Sequence, residues 1–225
     1  MTLSTRCYIG LLLGLITTAA GCFLMSRDTP DDSGATFAAH VASRGLVIDK
    51  MEGGESGVLE PSTTPFSGPQ FVLYSAGAPI ATLWVSGADT VVRAAPNSAA
   101  PAIGRINASW DERAIRLTLQ PEGDGSFSTS VFKRIEGGAG PVALGQPAGS
   151  TLDLRGVYRA ELLDGSGQQA GWIRVQFTHG WSAHRVYEGV LPAAVNGPLA
   201  VAAVARLDAE VTAVVNQAMN PYIGN

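Results

Sequence analysis

The chain has 225 residues, 46% of them hydrophobic and only 15% charged, with a formal net charge of −4. That balance excludes a wholly disordered chain and leaves enough length to bury a core without disulfides. It argues against nucleic-acid binding, because many phosphate contacts need many cations, and lysine occurs only at Lys50 and Lys133, with no Lys/Arg run. Anionic membrane surfaces are poor partners for the same reason. Both cysteines, Cys7 and Cys22, lie near the N-terminus. The remainder therefore holds no disulfide framework, redox pair or thiolate zinc site.

Residues 1–25 have an export layout: a short start with Arg6, then an apolar run, then the small residues "TTAAGC". Ala19-Ala20-Gly21-Cys22 resembles the lipobox of bacterial lipoproteins. The resemblance implies a signal peptide over residues 1–21 and a diacylglycerol on the Cys22 thiol. It also implies cleavage before Cys22 and acylation, as with palmitate, of the new amino terminus. The apolar "FLM" that follows keeps two alternatives open. Residues 8–25 are 18 residues without a charge, at about 1.5 Å rise per residue close to a bilayer's ~30 Å. An uncleaved anchor is thus one alternative, and ordinary cleavage after Ala20 or Gly21 is another. All three place the C-terminal part outside the cytoplasm, since Arg6 is the inner flank and the outer flank "SRDTPDD" is acidic.

Residues 22–34 then read as lipidated start and polar tether, and residues 35–225 as a single β-rich domain. "ATFAAHVASRG" (35–45) reads as a short helix, capped by Ser33 and ended by Gly45, with His40 on its surface. "GLVIDKM" reads as a strand, and residues 52–69 as loop. "QFVLYS" and "IATLWVS" flank "AGAP" as a hairpin. "TVVRA", "IGRINASW" and "AIRLTLQ" follow as strands, the last with Ile115, Leu117 and Leu119 alternating with polar residues. "SFSTSVFKRI" (126–135) reads as one strand, and residues 136–150 as a Gly/Pro-rich connection around one short strand. Residues 156–177 form another hairpin around "DGSG", whose pattern is similar to the earlier hairpin and reads as a repeated unit or as convergence. "SAHRVYEGV" (182–190) is a weak helix candidate.

Residues 198–219 carry the strongest helical signal. Pro198 suits the first turn and Asn220-Pro221 the stop. Ala200, Val204, Leu207, Val211, Val214 and Ala218 share one face, while residues 199–205 are apolar all round. Such a segment is buried on every side. Its first half is expected inside the sheet, and its second half at the edge, with Arg206, Glu210 and Gln217 in water. Seven fully apolar residues are too few for a second membrane span. The fold class is α+β: mainly antiparallel β, a barrel or strongly curved sheet of serial hairpins packed around a hydrophobic C-terminal helix. In "DGSGQQAGWI" and "PLAVAAVARLD" the layout over residues 70–219 is similar to tubby-like barrels of the LURP-one kind. That resemblance implies strands closing around the C-terminal helix, and carries over no site residue.

The densest polar constellation is "HGWSAHR", with His179, Ser182, His184 and Arg185. A nucleophile elbow needs G-x-S-x-G, and here the serine is followed by Ala183 and His184. The histidines are five apart, whereas a helical metal pair needs three or four. Ser182 as a helix N-cap is a sufficient explanation. Asp111-Glu112-Arg113, and Glu122 with Asp124, read as solvated turn residues rather than glycosidase acids. Trp84, Trp110, Trp172 and Trp181 read as core or sheet-face residues. No phosphate loop, HExxH or EF-hand pattern occurs. No catalytic, cofactor-binding or metal residue is therefore assigned, and no cofactor is expected. The site residue is Cys22, as a lipidation site. The expectation is a membrane-anchored lipoprotein of the bacterial cell envelope with a non-enzymatic binding or structural role and an unidentified protein or lipid partner. The alternatives are an envelope hydrolase using His179, Ser182 or His184, and a lipid-binding protein whose apolar helix lines a cavity.

Overall fold

Alternation of apolar and polar residues builds most of this molecule. The computed structural model describes residues 35–42, 45–51, 54–63, 70–94, 99–111, 114–123, 125–137, 142–144, 156–177 and 184–219. They form strands β1 (Phe37–Ala42), β2 (Gly45–Lys50), β3 (Gly57–Pro61), β4 (Phe71–Ser75), β5 (Ala78–Ser86), β6 (Asp89–Ala94) and β7 (Ala102–Asp111). These continue into β8 (Ala114–Pro121), β9 (Phe127–Thr129), β10 (Lys133–Glu136), β11 (Gly156–Leu163), β12 (Gln169–Phe177), β13 (Arg185–Val190) and the helix α1 (Gly197–Met219). Every strand pairs antiparallel with its sequence neighbour up to β9, and β10 to β13 likewise. Two further pairings close the ring: β13 with β1, and β9 with the C-terminal half of β11. The strands β9 and β10 occupy one position in succession along β11, so the ring has twelve positions.

This closed antiparallel barrel has its apolar side inward. In β8 Ile115, Leu117 and Leu119 are fully buried, while Gln120 is exposed and Arg116 and Thr118 are half-buried. In β12 Ile173, Val175 and Phe177 face in, and Trp172, Arg174 and Gln176 face out. A membrane-spanning barrel has the reverse order, with an apolar outer band and a polar lumen. Among the described residues the one exposed large hydrophobe is Ile135, and no helix is long and apolar enough to cross a membrane.

Eight strands make a barrel that side chains just fill, and twelve leave a wider lumen. The helix, about 10 Å across with its side chains, fills it. Leu199 to Val204 are between 0% and 2% exposed, so every face of that segment is covered. Leu207 and Val211 continue the buried stripe. Each such Leu or Val contributes about 1.5–3 kcal/mol by leaving water. Gly104 of β7 makes the close approach possible: a Cβ there would lie 3.0 Å from both Leu199 methyls. Asn196 caps the helix through its Oδ1, which accepts the Leu199 N–H at 3.1 Å.

Several expectations need correction. The short helix over residues 35–45 is the hairpin β1–β2, with Phe37 and Ala39 inward and His40 on the outer face. An isolated helix of that length is marginal in water, whereas β1 gains ladders on both sides, from β13 and β2. Gly45, expected to end that helix, opens β2 at φ 147°, where a Cβ would meet the Leu59 carbonyl at 2.2 Å. Ser33 lies outside the described residues. Of the weak helix over 182–190, residues 185–190 are β13, whose Val186, Tyr187 and Val190 suit a pleated surface, and residues 182 and 183 lie outside the described residues. The loop over 52–69 contains β3. The single strand over 126–135 is broken into β9 and β10, and Phe132 between them is fully buried. The short strand within 136–150 is a single bridge from Ala143 to Lys133. The "AGAP" connection is a two-residue turn, Ala76-Gly77, since Ala78 and Pro79 already belong to β5. The second half of α1 is less wet than expected, because Arg206 and Glu210 pair with each other at 13% and 12% exposure.

Side-chain hydroxyls complete the ladder where β9 stops. Thr129 Oγ1 accepts the buried Leu117 N–H at 2.9 Å, and Ser130 Oγ accepts the Glu161 N–H at 2.9 Å. At the β11–β12 turn Asp164 Oδ1 accepts from the Ser166 hydroxyl at 2.7 Å and from the Gln168 and Ser166 N–H groups at 2.9 Å each. These bonds, led by that from the Ser166 hydroxyl, hold the carboxyl below its ordinary pKa.

Thr129→Val keeps the shape but leaves the Leu117 N–H unsatisfied, and urea denaturation should read a loss of about 1–3 kcal/mol. In the Ala76-Gly77 turn both residues have positive φ, 50° and 78°. Asparagine tolerates that conformation better than alanine. Ala76→Asn should therefore stabilise by about 0.5–1 kcal/mol, read as a raised thermal midpoint.

Candidate functional site

Inside the barrel a cluster of polar groups forms between β13 and α1. Alternation along β13 turns Arg185 and Tyr187 inward. The helix presents Asp208 and Thr212, four apart on one face. Arg185 Nε donates to Asp208 Oδ1 at 2.6 Å, and its Nη2 to Asp208 Oδ2 at 3.2 Å and to Thr212 Oγ1 at 3.0 Å. The Tyr187 hydroxyl donates to Asp208 Oδ1 at 2.6 Å. Tyr187 is fully buried. Burial, then the Asp208 charge, push its phenol well above the ordinary value of 10.0, partly offset by Arg185. Both carboxylate oxygens are engaged and the phenol is held neutral. The cluster locks the helix to the wall and presents no free base or nucleophile.

The constellation expected around "HGWSAHR" is divided. Arg185 goes to the interior lock, and His184 precedes it on the exposed side. His179, Ser182 and Trp181 lie outside the described residues. The helix that Ser182 would cap is a strand. Asp111 ends β7 and Glu122 is exposed just after β8, while Glu112, Arg113 and Asp124 lie outside the described residues, as does Cys22. Asp208, Tyr187 and Thr212 escaped the sequence reading. The available signal was the pair Asp208 and Thr212, four apart on the helix and so on one face.

Two outer-face arrangements remain. On β11 to β13 the Trp172 ring lies 4.9 Å from the Arg159 guanidinium carbon and 6.0 Å from that of Arg174. Arg174 Nε donates to Glu188 at 2.7 Å, and Arg159 lies 3.2 Å from Glu161. Gln169 also donates to Glu161. Each of these arginines lies beside a carboxylate. Trp172 and Trp84 are thus sheet-face residues, both half-buried.

On β2 to β4 an open groove of about 540 Å³ has Val47, Val58 and Tyr74 along it and the carboxyl groups of Asp49 and Glu60 beside them. His40 Nδ1 and Asp49 Oδ2 are 2.7 Å apart, each side chain close to 40% exposed. Among the described residues no group of three or more His, Cys, Asp or Glu side chains converges on a metal position. Comparison with protein-family models, with curated proteins and with solved structures finds no match.

Tyr187→Phe removes one bond of the lock while Arg185 still holds Asp208, so its expected cost is about 1–2 kcal/mol at neutral pH. A raised folded-state pKa gives a contribution complete below the unfolded value near 10.0 and lost as pH climbs above it. Urea denaturation across that range should show a steeper alkaline fall in the wild type than in Tyr187→Phe. Parallel profiles would place the phenol's titration outside folding.

Proposed function

We propose that this chain is an exported lipoprotein of the bacterial cell envelope, anchored through Cys22, whose barrel has a non-enzymatic binding or structural role. The observation that carries the binding reading is the occupied lumen. The protein's own helix fills the interior, and the interior polar cluster is consumed in locking that helix. A ligand or partner then meets the outer face, where open grooves lie. A lipid carrier needs the space that α1 takes, and this weighs against that reading. A hydrolase needs a base and nucleophile in reach of each other, and the described residue of its candidate set, His184, lies exposed just before β13.

The anchoring reading rests on "TTAAGC" and the export layout before it. The closed antiparallel barrel around a hydrophobic C-terminal helix is compatible with the tubby-like resemblance. We take that likeness as a proposal about ancestry, since a fold by itself specifies no activity. Labelling with radioactive palmitate tests the anchor. Label should enter the wild type and be lost in Cys22→Ala. An unlabelled wild type, or undiminished label in Cys22→Ala, overturns it.

A further inference from the structure

The groove on β2 to β4 has a chemical pattern that selects its occupant. Strand register aligns His40, Val47, Val58 and Tyr74 in one outward row across β1 to β4. Asp49 and Glu60 lie on the same outward face, one to each side of that row. Continuing the β2–β3 register sets Asp49 opposite Ser56, four residues along β3 from Glu60, which is ~13 Å at the strand rise. The groove therefore has a carboxylate at each end and an apolar strip with a tyrosine wall between. At the first end the Asp49 carboxylate accepts from His40, which leaves its second oxygen for another donor. At the other end Glu60 is exposed and makes no ion pair among the described residues.

We propose that this groove binds a linear aliphatic diamine, with one ammonium on Asp49, the other on Glu60, and the methylene chain along Val47, Val58 and Tyr74. Two opposed carboxylates complement a cation at each end, and the valine floor complements an uncharged middle. A sugar, with hydroxyls throughout, would leave polar groups against the valines. With ~13 Å between the backbone positions, a carboxylate side chain and a hydrogen bond at each end suit a diamine of intermediate length. The inference does not depend on how the chain is anchored.

Saturation-transfer NMR on the full chain in detergent tests it, with hexamethylenediamine as the probe. Saturation should reach the methylene protons at millimolar affinity, as fits exposed ion pairs. Asp49→Asn and Glu60→Gln should each weaken binding about three- to fivefold. Both positions are exposed, and unchanged thermal midpoints would show that the fold is retained. Hexylamine, with one cation, and ethylenediamine, too short to span the groove, should both bind less well. Equal binding of hexylamine, or of the diamine to the double variant in the same detergent, overturns the proposal. So does a Glu60→Gln protein that binds like wild type.

Discussion

Closing a ring of twelve strand positions leaves a lumen wider than the strands' own side chains can fill, and the rest of the structure depends on how it is filled. The solution is a helix whose first half has no polar face. Leu199 to Val204 meet wall residues on every side, so helix and wall are each other's core. Neither has a stable alternative: the helix alone would expose a wholly apolar surface, and the empty ring would hold a void at heavy cost. Gly104 shows how tight the fit is, because the missing side chain on β7 is the space that Leu199 uses.

An apolar rod in an apolar tube has no fixed rotation or depth, since hydrophobic burial is non-directional. The lock between β13 and α1 supplies direction. Arg185 and Tyr187 converge on Asp208, and Thr212 takes the remaining guanidinium contact. Hydrogen bonds of this kind tolerate little displacement, so one turn of helix is pinned to one strand. Lumen and cluster are thus both used in assembling the fold itself.

Legibility in the sequence followed the range of the interactions. Ile115, Leu117 and Leu119 announce a half-buried strand because alternation is local. The turn at Asp164 to Gln168 is equally local, its bonds lying within five residues. The segment from Phe37 to Ala42 misled because its alanines favour a helix locally. It is a strand because β13 and β2, one of them 150 residues away, bond both its edges. The same reason turned residues 185–190 from helix to strand. Asp208 read as one more polar residue, and only the approach of β13 gives it two partners.

The order of residues along the chain suffices for the antiparallel class and for a C-terminal helix whose first half is buried on all sides. Each depends on composition within a window of some ten to twenty residues. Ring closure, the breaking of β9 from β10, the lock on Asp208 and the groove between Asp49 and Glu60 arise only on folding. They depend on register between distant strands, and register is set by pairing that no local window contains.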